Sequence, residues 1–426
     1  MKVSLNSIDV FLVSMTLLVI AFYALAALYY PSAYVIGTYE DLYGEWTQTY
    51  GFLATCIFST LIALKQHSQR WFFLLLALAS FYAFMEEISW GQRLLGFDSP
   101  EFFHENSYQD ETNIHNLLTG PVDVWTKTAL TYAIALGLFA YGVIFPIVLR
   151  LNFKPAMWLS QHKLAAEPPF SLMLAFSAAA LFELELFGFN EAEVAELLVA
   201  WALAFTALHH YLTERDAAKA LLLPYIIVVF IASIAIWGTT TLLLRSPEQR
   251  KEIDYRLANG YEKFAERYEG YDYLFGVVDM LEHYDQLRPN NTVILRKIAE
   301  DLNELGETEK AQVFLKRAVD EGLRRVNKDE NNVQANISLA KSYRKLGDYQ
   351  NMSLYANKAY IGALAQYKAD SNNPYWAYWL AKACEQTNRQ QDALHYYRKA
   401  HQLDPSSERY EQAYEQKKLI MLDYEN

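Results

Sequence analysis

Apolar residues along this chain are distributed in two ways, and the change comes near residue 246. Before it they gather in unbroken runs; beyond it they recur at helical spacing among charged residues. A helix that crosses a bilayer needs about 20 mostly apolar residues. Seven runs approach that length: 10–30, 49–64, 71–88, 127–149, 169–188, 194–212 and 220–244. The second is the shortest, and the fifth and sixth contain acids. The first leaves two readings open. Lys2 and the small-x-small pattern Ala24-Leu25-Ala26 suit a cleaved leader, whereas Asp9 and apolar character as far as Tyr29 suit an uncleaved anchor, which is the expectation here.

The connecting loops carry an orientation signal. Lys65 and Arg70 flank one loop, Arg150, Lys154 and Lys163 another, and Arg215 and Lys219 a third. The alternate loops hold Glu40, Asp41 and Glu45, or Glu191 and Glu193, with no base. The long loop 89–126 is rich in acids and has one base, Arg93. Basic residues near span ends stay inside. The pattern therefore predicts an inside N-terminus, seven spans, and everything after residue 245 outside.

Beyond residue 258 four segments align: 258–291, 292–332, 333–373 and 374–407. The third contains Leu339-Ala340, Tyr343, Gly347-Asp348-Tyr349 and Ala359. The fourth contains Leu380-Ala381, Ala393, Tyr397, Ala400 and Asp404-Pro405. The second has Ile298-Ala299, Gly306, Ala311 and Ala318, and the first has Phe264-Ala265, Tyr268 and Pro289. These segments resemble tetratricopeptide (TPR) repeats, with a period of about 34. The spacing departs from that period in the two middle segments, which run seven residues longer. Two extra turns in the second helix of each would absorb the difference. A capping helix is expected after residue 407, with Lys417 to Tyr424 on it or beyond it.

The resemblance implies a solenoid with a concave groove lined by the first helix of each pair. Carrying over the groove-facing offsets gives Glu262, Glu266 and Glu269, then Arg296 and Glu300, then Lys341, Arg344 and Lys345, then Tyr375, Tyr378 and Lys382. The last six form the expected peptide groove, basic and aromatic. The alternative for all of them is a plain solvated face.

Charge and cysteine content narrow the function classes. The net charge is −12, which disfavours nucleic acid as a partner. Residues 1–246 carry 11 Lys and Arg against 20 Asp and Glu, so most of the imbalance lies in the apolar half. The two cysteines, Cys56 and Cys384, fall in different halves, and no CxxC or Cys/His cluster suggests structural zinc.

The stretch with most chemical potential is 82–118. Glu86 and Glu87 end an apolar run and Trp-Gly-Gln-Arg93 follows. His104, Glu111 and His115 come next, the last two four apart. Carboxylates and imidazoles make metal sites or acid–base sites. Glu86, Glu87 and Arg93 are the catalytic candidates, and Glu111, His115 and His104 are candidate ligands for a divalent metal. Glu183, Glu185, Glu193 and Glu196 are expected at the same end. The alternative is interfacial acids facing water.

Glu86-Glu87 and Phe205-Thr-Ala-Leu-His209 resemble motifs of type II prenyl-peptide proteases. Arg93, however, is displaced by two residues, the later His-x-x-x-Asn motif is absent, and His209 lies roughly 20 Å along its helix from Glu196. Outer-face acids with distal repeats also resemble some membrane glycosyltransferases, and Glu-Glu-Ile-Ser-Trp-Gly-Gln-Arg resembles a stretch of bacterial multi-pass membrane proteins.

The expectation is an all-α chain: a polytopic transmembrane bundle (1–246) followed by a TPR-like α-solenoid (247–426). Its place would be a bacterial inner membrane, in contact with lipid, with the repeats in the periplasm. The leading function is a membrane-anchored module recruiting a protein or peptide, within an envelope or secretion assembly. The alternative is a metal-dependent hydrolase or lipid-linked glycosyltransferase using the outer Glu/His cluster.

Overall fold

A computed structural model describes residues 6–39, 42–65, 69–92, 97–106, 112, 114, 125–213 and 221–425. The described residues are helical, with no strand. Two compact units divide the chain, Met1–Arg267 and Tyr268–Asn426.

The first unit contains α1 (Ser7–Tyr29), α2 (Pro31–Thr38), α3 (Tyr43–Leu64), α4 (Arg70–Glu87) and α5 (Glu101–Asn106). It continues with α6 (Trp125–Arg150), α7 (Lys154–Gln161), α8 (Met173–Phe182), α9 (Glu191–Thr213) and α10 (Leu223–Arg245). Among the described residues, five stretches are long and apolar enough to cross a membrane: Ser7–Tyr29, Pro31–Leu64, Trp125–Arg150, Glu191–Thr213 and Leu223–Arg245. Their outer faces expose Leu18, Phe22, Leu136, Phe230 and Trp237. Hydroxyls inside this unit donate to carbonyls four residues back, as Thr16 does to Leu12 and Thr206 to Ala202. That satisfies these two hydroxyls in apolar surroundings, whereas Ser59, Ser171 and Thr240 bury theirs without a hydrogen-bond partner among the described residues. The centre is the α3–α9 contact, where a Cβ on Gly51 would lie 2.9 Å from the Ala200 Cβ. Thr55 donates across this approach to the Ala200 carbonyl at 3.2 Å.

The fifth apolar run is shorter as a helix than its sequence suggests. After a 3₁₀ turn, α8 ends at Phe182, and the chain turns back through left-handed residues at Glu185, Gly188 and Asn190. Glu191 holds this turn by accepting from the Phe187 and Phe189 amides at 2.8 Å each. The acids that shorten the apolar run thus build the turn.

Helix α11 (Pro247–Gly270) crosses the boundary between units. Its Phe264 packs on Tyr34 and Phe189, with ring centroids 6.0 and 5.9 Å apart, all within the first unit. Phe264 therefore belongs to that core and not to a first repeat. The second unit proper holds α12 (Leu274–Leu287), α13 (Thr292–Glu304), α14 (Thr308–Lys328), α15 (Val333–Leu346), α16 (Tyr349–Ala369), α17 (Pro374–Gln386), α18 (Gln390–Leu403) and α19 (Glu408–Glu425). Three hairpins, α13–α14, α15–α16 and α17–α18, stack in order, and α19 covers the last. Asn291, Asn332 and Asn373 each cap the first helix of a hairpin. Buried Ala340, Ala359, Ala363, Ala377 and Ala381 let the helices approach closely. The second helices α14 and α16 run 21 residues each, against 14 for α18.

Candidate functional site

Two places gather polar chemistry, one in each unit. In the first, α4 ends in a turn where Ser89, Trp90 and Gly91 take φ of 45°, 54° and 91° in succession. Left-handed backbone at two non-glycine residues is a strain that surrounding structure must hold. The Trp90 indole N–H donates to Glu86 Oε1 at 2.6 Å, and Glu86 is buried. Gln92 then accepts from the Thr112 amide at 2.8 Å and from Ser99 at 3.3 Å, tying the following loop to the turn.

The neighbouring Glu87 accepts from Gln48 Nε2 at 2.9 Å, and Glu193 accepts from the same nitrogen at 3.4 Å. Glu45, Glu87, Glu183 and Glu193 all lie within electrostatic range of Glu196. The structure thus brings Glu87, Glu183, Glu193 and Glu196 together, with Glu86 one residue away. Sequence reasoning missed Gln48 and read Glu45 only as an acid of a base-free loop. Their signal is a pair of polar side chains at the start of α3, with apolar helix beyond.

The metal expectation fares differently. His104 is exposed on the six-residue α5, while Arg93, Glu111 and His115 lie outside the described residues. Among the described residues no three His, Cys, Asp or Glu side chains could hold a metal ion. His209 and His210 meet Tyr225 Oη and the Glu167 carbonyl, at 3.1 and 2.9 Å, toward the other end of α9.

In the second unit, α13, α15 and α17 are neighbours along one face. Arg296 on α13 reaches α15 with one nitrogen: Nη1 donates to the Ser338 carbonyl and to the Ser338 and Ser342 hydroxyls, each at 3.1 Å. Burial pushes its guanidinium down to about 10. Lys341 on α15 is half-buried, with Lys382, Arg296, Glu385 and Arg344 within electrostatic range. Burial first, then those three cations, hold its ammonium below the usual lysine value. Arg344 Nη2 reaches the Gln386 carbonyl at 3.4 Å, and Lys382 Nζ stands 5.4 Å from the centroid of the Tyr378 ring.

The expected groove set divides here. Lys341, Arg344 and Lys382 share the basic cluster, and Arg296 joins them. Lys345 turns to Glu300 at 2.6 Å instead. Tyr378 is buried, packed on Tyr397 and Tyr410, so it is core under α19 and not groove lining. Tyr375 is exposed and accepts from Gln334 Nε2 at 2.6 Å. At the acidic end Glu269 pairs with Lys297 at 2.6 Å, and Glu262 and Glu266 lie on α11 within the first unit.

Residues 377–407 match the tetratricopeptide repeat family. A comparison with curated protein sequences finds no match. Among solved structures, MamA residues 41 to the end from Desulfovibrio magneticus RS-1 overlays with 15% identity and a TM-score of 0.20, covering 40% of this chain and 88% of that one. A second MamA structure gives 16% identity and a TM-score of 0.19, covering 38% and 80%. These overlays are too loose to bear on function. The stacked hairpins and the family match make the C-terminal region TPR-like, and such repeats form protein-interaction modules.

Proposed function

We propose that this chain is a membrane-anchored, TPR-like interaction module that recruits a protein or peptide at the outer face of a bacterial inner membrane. The observation that carries the reading is the stack of α13, α15 and α17 side by side, presenting one polar, cationic face. Nucleic acid suits the acidic chain poorly as a partner.

Support for the orientation comes from how charge divides between the ends of the first unit. Lys65 stands 3.7 Å from the centroid of the Tyr211 ring and Arg150 the same distance from that of Phe170, with Gln69 bonded to the Ala165 carbonyl nearby. The opposite end holds the carboxylates around Glu196. Basic ends stay inside. The short α8 still supports a crossing. The His210–Glu167 contact ties residue 167 to one end of α9, and the 183–190 turn returns the chain to its other end. About 20 Å of helix over 170–182 plus about 10 Å of extended chain makes roughly 30 Å, a bilayer core. With α4 also crossing, seven passes from an inside N-terminus leave the repeats outside.

A reporter enzyme active only in the periplasm, fused after Asn426, is expected to be active, and a cytoplasm-only reporter at the same place silent. The reverse pair of signals would overturn the orientation and the class of partner argued from it.

A further inference from the structure

The cationic face contains an imbalance that folding alone does not require. Arg296, Lys341, Arg344 and Lys382 come from the first helices of three successive hairpins, α13, α15 and α17. Among the described residues none of them has a carboxylate within ion-pair distance. Glu385, the acid within electrostatic range of Lys341, is engaged elsewhere: it accepts from Tyr397 Oη at 2.9 Å and pairs with Lys417 at 3.4 Å. Partly burying several like charges without a counter-charge works against the fold. The same chain pairs Lys345, Lys297 and Arg317 with acids close by, at 2.6, 2.6 and 2.7 Å.

The geometry points to an anion seat for an acidic segment of a protein partner: carboxylates would lie on Arg296, Lys341, Arg344 and Lys382. This rests on the concave face being the binding surface and names the ligand it takes. The ligand supplies the counter-charge, so the free cluster stands in mutual repulsion and the bound one does not. Lys345 lies outside the seat because Glu300 already neutralises it.

The test uses the full chain in detergent and a fluorescently labelled hexaglutamate peptide, read by anisotropy. Lys341→Met and Lys382→Met should each weaken binding about tenfold, equivalent to about 1.4 kcal/mol. Lys345→Met should leave it within about twofold. Binding should weaken steadily as salt shortens the screening length to about 8 Å near 0.15 M. The melting temperature of Lys341→Met should hold or rise, because a repulsive charge is gone; a merely structural lysine would lower it. Should one variant fail to fold, the other carries the comparison.

Hexaglutamate binding that ignores both lysines, or ignores salt, would overturn the inference. So would tighter binding of an oligonucleotide of matched charge, which would assign the cluster to another polyanion. A neutral peptide held on this face, indifferent to Lys341 and Lys382, would sink the anion seat and leave the interaction reading standing.

Discussion

Gly142→Ala should unfold or strongly destabilise the first unit, although helix propensity predicts the opposite. In an exposed helix interior, alanine is favoured over glycine by about 1 kcal/mol. Gly142, however, lies in the π-helical turn Ala140–Ile144 within α6, directly against α8. A Cβ there would meet Cγ and Cβ of Phe176 at 2.0 and 2.2 Å. Phe176 is fully buried among Leu172, Val143, Phe205 and Tyr225, so it has nowhere to move. Overpacking ordinarily costs about 1–3 kcal/mol, and a full atomic overlap against a locked ring belongs at or above that limit. Gly137, on the same helix, is the control: its Cβ would have nothing within 4 Å. Thermal unfolding in detergent should show Gly137→Ala unchanged or slightly stabilised. Gly142→Ala should lose several degrees or fail to give monodisperse protein. Equal melting temperatures for the two would mean that α6 and α8 do not approach here.

Asp301→Asn should stabilise the second unit at neutral pH and do nothing at pH 4. Asp301 is 8% exposed on α13, and its Oδ2 has no hydrogen-bond partner. Burial pushes its carboxyl up to about 6. Lys297 pulls the other way, while Glu269, Glu304 and Glu300 add to the rise. A carboxyl with a raised folded-state value prefers to fold protonated. Its penalty is absent below the unfolded value of about 3.9, grows as pH rises toward 6, and is complete above that. At 1.36 kcal/mol per pH unit the full penalty is about 2–3 kcal/mol. The amide cannot ionise, so the variant should gain that much near pH 7.5. Denaturant unfolding of the full chain at pH 4 and pH 7.5 measures both ends. An equal gain at both would show a packing effect unrelated to ionisation.

The helices were legible wherever one physical cause dominated. Long apolar runs gave α1, α6, α9 and α10, and small residues at fixed offsets gave the hairpins α13 to α18. The seven-residue excess in the middle segments was readable as longer second helices because only whole turns fit. Legibility failed where two causes competed. The run 169–188 is apolar enough for a long helix, but Glu183, Glu185 and Glu191 make a turn out of its end. Phe264-Ala265 fits a repeat by spacing, yet Phe264 finds a better core on Tyr34 and Phe189, which no local pattern announces. The acidic site was half legible. Glu86, Glu87, Glu193 and Glu196 stand out against apolar neighbours, whereas Gln48 joins them only because α3 lies between α4 and α9. In the basic face, Lys345 and Tyr378 satisfied the spacing rule, but spacing does not know about Glu300 or α19.

The long second helices of the middle hairpins also set a rule for how this array can be edited. Seven residues advance a helix by about 700°, only about 20° short of two whole turns. Adding or removing seven therefore changes how far α14 and α16 project, by about 10 Å, while every buried face keeps its phase. Five residues would rotate the remainder by about 140° and turn Ala359 and Ala363 away from α17. Length in these two hairpins can vary in heptad steps independently of the α13–α15–α17 face, so the outer edge of the array can diverge without disturbing that face.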